Sequence, residues 1–185
     1  PFAWITCPLA IARLRRDVDQ AGQDGAELDA LLKLDDRPTE DEVLVCTGHR
    51  DKQILLEEFE YEAKPSDALD KLACNWVAAK LLPDKTCYEY WRTIAKECLV
   101  IVTDDDFRDF VKHGTEIVTR VRLTDEKTVQ EGALWTEENL PADALLYSFV
   151  VSWPPAKNVQ PNLSAAGNVM KELEDLINAS PVIQV

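Results

Sequence analysis

Three groups of residues in this chain are of types, and at spacings, that can do chemistry. The first is Asp104-Asp105-Asp106, which follows the apolar run Leu99–Thr103 directly. Three carboxylates at the end of a buried strand offer the several oxygens that a hard divalent cation takes. The same letters also start a helix: Asp104 as its cap, Asp105 and Asp106 on the positive end of its dipole, Phe107, Phe110 and Val111 packing down, and Gly114 as its stop. The helical reading is the favoured one. The second group is Cys46 with His49, a ligand-like spacing, but zinc needs a second close pair and His113 is the only other histidine. The third is Arg120, Arg122, Lys127 and Trp135. Two arginines on one strand face can meet successive phosphates, Lys127 can reach a third from a loop tip, and an exposed indole can stack on a base. On residue types alone, cross-strand pairing with Glu131, Glu137 or Glu138, and ordinary sheet packing for Trp135, serve equally well. Arg13, Arg15 and Arg16 read more readily as a solvated helix end than as a phosphate contact. Glu57 and Glu58 are neighbours on one predicted strand, point to opposite faces, and make a poor acid/base pair.

The third group needs a β-hairpin to position it. From Thr115 to Pro141, residues 117, 119, 121 and 123 fall on one strand face and residues 118, 120 and 122 on the other. Thr124–Thr128 is a polar turn, and Gly132 marks a tolerated bulge in the return strand Val129–Glu138. Upstream, the spacing predicts a helix from Pro1 with a kink at Pro8, and a short helix capped by Asp24 and Glu27. Two strands at 43–46 and 54–61 should flank a Thr47-Gly48 turn. A helix capped by Ser66 carries Leu69, Leu72, Ala73, Trp76 and Val77 and ends at Pro83; another, capped by Thr86 and Glu89, carries Trp91, Ile94, Ala95 and Cys98. Downstream, Leu145–Val151 reads as an apolar strand, then comes a helix with Val169, Met170, Leu173, Leu176 and Ile177, and a last strand from Val182. Helices on an antiparallel-rich sheet make an α+β fold.

At 185 residues and 46% hydrophobic, the chain suits a single domain over 1–185 with one sizeable core. No run of about 18 apolar residues offers a membrane span. Charges follow the first apolar residues instead of preceding them, so a secretory signal is not expected and a cytoplasmic location is. A start at Pro1, an end in a strand-like VIQV and only six glycines suggest a fragment. Five cysteines without a C-x-x-C pair fit a reducing compartment. The net charge of −14 argues against a general polyanion binder. That charge is uneven: the acidic surface segment 24–42 holds eight acids and two bases, whereas 64–98 holds six bases and five acids.

Specific strings go further than periodicity. LVIVTDDDF at 99–107, TRVRLTDEKTVQEGALWTEENLP at 119–141, LLYSFVVS at 145–152, the last helix leading into VIQV, and FAWITCP near the start resemble the backbone subunit of the Cmr module. That family belongs to the RAMP superfamily and assembles along guide RNA in type III-B CRISPR effector complexes, a prokaryotic antiviral defence. The most specific part is Arg120–Pro141, where T-R-x-R-x-x-D-x-x-T, a glycine, a Leu-aromatic pair and Glu-Asn-Leu-Pro stand in the family's order. The resemblance implies a modified ferredoxin-like (RRM-like) fold with helical insertions, and a projecting β-hairpin thumb at 115–141 that wedges into the guide–target duplex. It implies guide RNA, target RNA, further copies of the chain and other subunits of the complex as partners. It also implies that the intact subunit is an endoribonuclease dependent on a divalent metal, Mg or Mn, with its catalytic aspartate in a loop preceding Phe2, so that no catalytic residue or metal site is expected within this chain. With the resemblance, Arg120, Arg122, Lys127 and Trp135 are expected to bind RNA.

Two other functions compete with this one. One is a structural or protein-binding RAMP-like domain with weak RNA contact, which the acidic total favours. The other is a metal-dependent nuclease built on Asp104–Asp106.

Overall fold

The computed structural model describes residues 3–33, 37–82, 86–142, 144–148, 150–153 and 166–179. The chain falls into two compact units, Pro1–Leu146 and Tyr147–Val185. The first holds a five-stranded sheet, in the order β1 (Trp4–Thr6), β5 (Leu99–Ile101), β2 (Glu42–Val45), β4 (Phe59–Pro65), β3 (Gln53–Leu56), and a separate two-stranded hairpin of β6 (Glu116–Leu123) and β7 (Val129–Asn139).

Alternation along two central strands builds the core. In β2 (Glu42–Val45) and β5 (Leu99–Ile101) successive side chains go to opposite faces, and both faces are covered. Leu44, Cys46, Leu99 and Ile101 pack with the helical residues Ile11, Leu28, Leu69, Trp76 and Ala95. Val43, Val45, Val100 and Val102 pack with Tyr61 and Leu56, and Phe107 and Phe110 lie against that second cluster. A strand buried on both sides reads as a continuous apolar run, which is why VLVC and LVIV stand out in the sequence. The sheet is mixed, not antiparallel-rich. β1 (Trp4–Thr6) and β5 are parallel, as are β2 and β4 (Phe59–Pro65), whereas β2–β5 and β3–β4 are antiparallel.

Several expected elements differ. Trp4–Thr6 is a strand, in register with Leu99–Ile101, instead of part of a first helix. Pro8 does not kink a helix but opens one: it is the first residue of α1 (Pro8–Gln20), where its missing N–H costs nothing. The expected strand 54–61 is a hairpin, β3 (Gln53–Leu56) and β4, turning at Glu57-Glu58 with Glu57 at φ 53°. No glycine or asparagine announces that turn. Asp24 accepts from Ala26 N and so closes a tight turn before the short α2 (Ala26–Asp29), without a capping box.

Ser66 does cap its helix: its Oγ accepts from Leu69 N, and α3 (Asp67–Lys71) runs on through Leu72–Leu81 with the wider π repeat. Its predicted stripe is buried throughout. Pro83 lies outside the described residues. The next helix, α4 (Glu89–Cys98), is entered through a 3₁₀ turn at Thr86–Tyr88 and has no side-chain cap.

The apolar run 145–151 is not a strand among the described residues. Leu145, Leu146, Tyr147, Val150 and Val151 are exposed. Apolarity supplies a reason to be buried, but a strand also needs a neighbour to pair with. The later helix forms as α6 (Ala166–Ala179), with Val169 and Leu173 half-buried and Met170 and Leu176 exposed. The strand expected from Val182 lies outside the described residues.

Candidate nucleic-acid interface

The three aspartates after β5 are committed one by one to separate partners. The cap of α5 (Asp104–His113) is Thr103, not Asp104: its hydroxyl accepts from Asp106 N at 3.0 Å and donates to Asp106 Oδ2 at 2.8 Å. Asp104 Oδ1 accepts from Leu9 N at 2.7 Å, and Asp105 pairs with Arg108 at 2.9 Å. Among the described residues, no three His, Cys, Asp or Glu side chains are grouped so that they could hold a metal ion. Val111, expected to pack down with Phe107 and Phe110, is exposed.

The Cys46–His49 spacing is that of a turn, His49 N donating to Cys46 O. Burial, reinforced by Asp70, pushes the Cys46 thiol up to about 12. Arg15 and Arg16 lie within α1, not at its last turn, and are tied to Asp19, Asp29 and Asp17. A cleft of about 520 Å³ lies between the β3–β4 turn and α5. Glu57, Glu58, Asp106 and Asp109 line it, so it repels phosphate.

The hairpin forms as the alternation predicts, between β6 (Glu116–Leu123) and β7 (Val129–Asn139). Pairing runs in regular register from Glu116 opposite Asn139 to Val121 opposite Leu134, then slips so that Leu123 faces Val129. Residues 130–133 therefore stand opposite Arg122 alone. Gly132 supplies the positive φ, 73°, inside this bulge. At the tip, Thr124 N donates to Thr128 O and Lys127 N to Thr124 O, with Lys127 itself at φ 61°.

Arg120 and Trp135 are direct cross-strand partners, so both stand on the face that also carries Val118 and Glu137. Glu137 takes both. Its Oε2 accepts from Arg120 Nε at 2.8 Å and its Oε1 from Trp135 Nε1 at 3.0 Å. These bonds, the indole's first and the guanidinium's second, hold the carboxyl below its ordinary range. Trp135 is not packed away: it is 42% exposed. Arg122 shares the face by alternation, about 7 Å farther along the strand. Lys127 is set apart at the tip. The opposite face is an apolar stripe of Ile117, Val121, Leu123 and Leu134, all exposed.

The structure thus brings Arg120 and Trp135 together, leaves Arg122 beside them across the bulge, and separates Lys127. Sequence reasoning offers Glu137 only as one alternative partner among three. The signal that singles it out is its placement two residues from Trp135 and diagonal to Arg120, which requires the strand register.

No family model matches the chain. Among curated proteins, the CRISPR system Cmr endoribonuclease Cmr4 of Pyrococcus furiosus is 31% identical over 167 residues, covering 85% of this chain and 50% of that protein. The chain spans about half the length of that relative. Among solved structures, a chain in the cryo-EM structure of the type III-B Cmr-beta complex bound to cognate target RNA superposes with a TM-score of 0.51 at 17% identity. The match covers 76% of this chain and 45% of that one. At that identity the likeness speaks for the fold alone. Over 85% of its length the chain is thus similar to about half of Cmr4, and it fits a partial subunit of that kind.

Proposed function

We propose that this chain is part of a RAMP-like domain of a backbone subunit that binds guide RNA and target RNA in a type III-B CRISPR effector complex, with the β6–β7 hairpin as its thumb. The observation that carries this is the placement of Arg120 and Trp135 directly opposite each other on an exposed strand face. A guanidinium for phosphate beside an indole for stacking is what single-stranded recognition without sequence readout uses. Arg122 and Lys127 extend the same contact. Other copies of the chain and other subunits of the complex are its protein partners, and the cytoplasm of a prokaryote is its place of work.

Target-RNA endoribonuclease activity belongs to the whole protein in this reading, and Mg or Mn would serve it there. The three carboxylates that follow β5 do not fit such an ion, because Asp104, Asp105 and Asp106 each serve another partner. No step of cleavage is assigned to its residues.

With only three bases against six acids between Thr115 and Leu140, the hairpin cannot hold RNA by net attraction. Binding has to come from placement. In the whole protein, Arg120→Ala with Arg122→Ala should weaken guide-RNA loading and flatten the dependence of affinity on salt. The log–log slope should fall by up to about 0.7 for each phosphate that is no longer neutralised. Filter binding over a salt series measures this, and an unchanged slope and affinity would remove the RNA role of this face. A second reading, a protein-binding domain, is favoured by the exposed apolar stripe of Ile117, Val121, Leu123 and Leu134. It is tested by whether the purified protein carries a small RNA, seen in its absorbance ratio and its mass in size-exclusion chromatography.

A further inference from the structure

Glu137 occupies both groups that the proposed RNA face would use. One carboxylate oxygen takes the Arg120 guanidinium and the other takes the Trp135 indole N–H. A phosphate offers the same chemistry: anionic oxygens that accept charge-assisted hydrogen bonds. Val118, directly across from Glu137, gives it no polar alternative on this face. Glu138, its neighbour in sequence, points to the other face and accepts from the Thr115 hydroxyl at 2.7 Å instead.

We infer that Glu137 is a built-in competitor of RNA, an anionic latch that holds Arg120 and Trp135 until a phosphate displaces it. This deepens the RNA reading of the hairpin and rests on it. The latch is cheap to open. Arg120 and Glu137 are about half exposed, at 54% and 40% of their side-chain surface, and ion pairs in such settings are weak and salt-screened. An RNA strand that places a phosphate and a base together replaces both bonds and releases counterions as well. A loose polyanion that engages Arg120 alone breaks the pair without gaining the stack. The consequence is a raised threshold: strands that fill the whole face are accepted over those that touch it in passing.

The test uses the whole protein and an oligouridylate of about 20 nucleotides as a non-specific single strand. Glu137→Gln keeps the shape and removes the charge, and should tighten binding about two- to fivefold at moderate salt. In an Arg120→Ala background the same change should have a much smaller effect, since only the indole N–H is then left to release. Glu138→Gln, which removes an equal charge from the other face, should tighten binding by less than half as much. The part of the tryptophan fluorescence that Trp135→Phe abolishes should shift when oligouridylate is added to the wild type, and should already be shifted in Glu137→Gln. Equal tightening by Glu137→Gln and Glu138→Gln, persisting without Arg120, would mean general charge repulsion and overturn the latch. Weaker binding by Glu137→Gln would make Glu137 a positioning group, which also overturns it. If Arg120→Ala alone leaves binding unchanged, the RNA reading of the face fails, and the latch fails with it.

Discussion

Asp104 Oδ1 accepts the Leu9 backbone N–H at 2.7 Å, joining residues 95 apart in sequence. Leu9 lies in the first turn of α1, where backbone donors lack partners within the helix. The Cys7 sulfur, a weak acceptor, helps there by taking Ala10 N at 3.4 Å. The parallel pairing of β1 with β5 sets the two helix starts side by side, so a carboxylate at the head of α5 serves the head of α1.

That relationship separates three adjacent aspartates by role. Asp104→Ala should destabilise the fold by about 1–2 kcal/mol, as losing a charged helix cap does. Asp105→Asn, which loses an exposed pair with Arg108, should stay within about 0.5 kcal/mol. Denaturant melts of the whole protein measure both. Target cutting should survive Asp105→Asn, and its loss in a normally folded variant would revive a metal site at this triplet.

Gly132 sits at φ 73° in the bulge opposite Arg122, with open space where a Cβ would project. Gly132→Ala therefore meets no clash, and its cost is the left-handed backbone alone, about 1 kcal/mol. The β6–β7 hairpin forms a sheet of its own, so the cost should appear there and not in the five-stranded sheet. Hydrogen exchange should quicken at residues 117–123 and 129–136 while the amides of β2 and β5 keep their protection. Uniform loss of protection would show the hairpin and the core to be one cooperative unit.

Asp70 links the end of β2 to α3 through Thr47. Desolvation pushes its carboxyl up, but hydrogen bonds from the Thr47 hydroxyl, the Thr47 amide and the Cys46 thiol outweigh that and leave it below its ordinary value. A depressed folded-state pKa stabilises fully above the unfolded value, about 3.9 for aspartate, and the contribution is lost as pH falls through the folded value. The Tm gap between wild type and Asp70→Asn should therefore be widest near neutrality and close as pH drops below about 4. A gap that persists undiminished into strong acid would show that Asp70 acts by its shape and not its charge.

Legibility in the sequence followed burial. VLVC and LVIV announced β2 and β5 because both faces of those strands are covered, and the stripe from Leu69 to Val77 announced its helix because one face is. Two features without a local signal did not show: Glu57-Glu58 hides a hairpin turn inside an acidic run, and Trp4–Thr6 looks helical until β5 stands beside it. Leu145–Val151 shows the converse, an apolar run that forms no strand among the described residues. At the candidate interface, alternation put Arg120 and Arg122 on one face and Gly132 fitted a bulge. The meeting of Arg120, Trp135 and Glu137 depends on register across the hairpin, which no local pattern encodes.

Trp135 offers the sharpest test of what the hairpin does to RNA. The residue is 42% exposed, on a hairpin that forms a sheet of its own, and it stands outside the buried clusters of the five-stranded sheet. Trp135→Ala should accordingly cost the fold little. A base stacked on such a ring is worth about 1–3 kcal/mol, and that loss should fall on whichever strand the ring contacts. If the hairpin wedges into a guide–target duplex, guide loading is shared with Arg120, Arg122 and the backbone contacts of neighbouring subunits and should change little. The spacing or efficiency of cuts on a long target should change more. Trp135→Phe, which keeps a stacking face and loses only the N–H to Glu137, should restore the cutting pattern. Cleavage products resolved on a gel alongside guide content report both quantities. A variant that loses guide RNA while its remaining complexes cut at unaltered positions would make Trp135 a loading contact and take the wedge away.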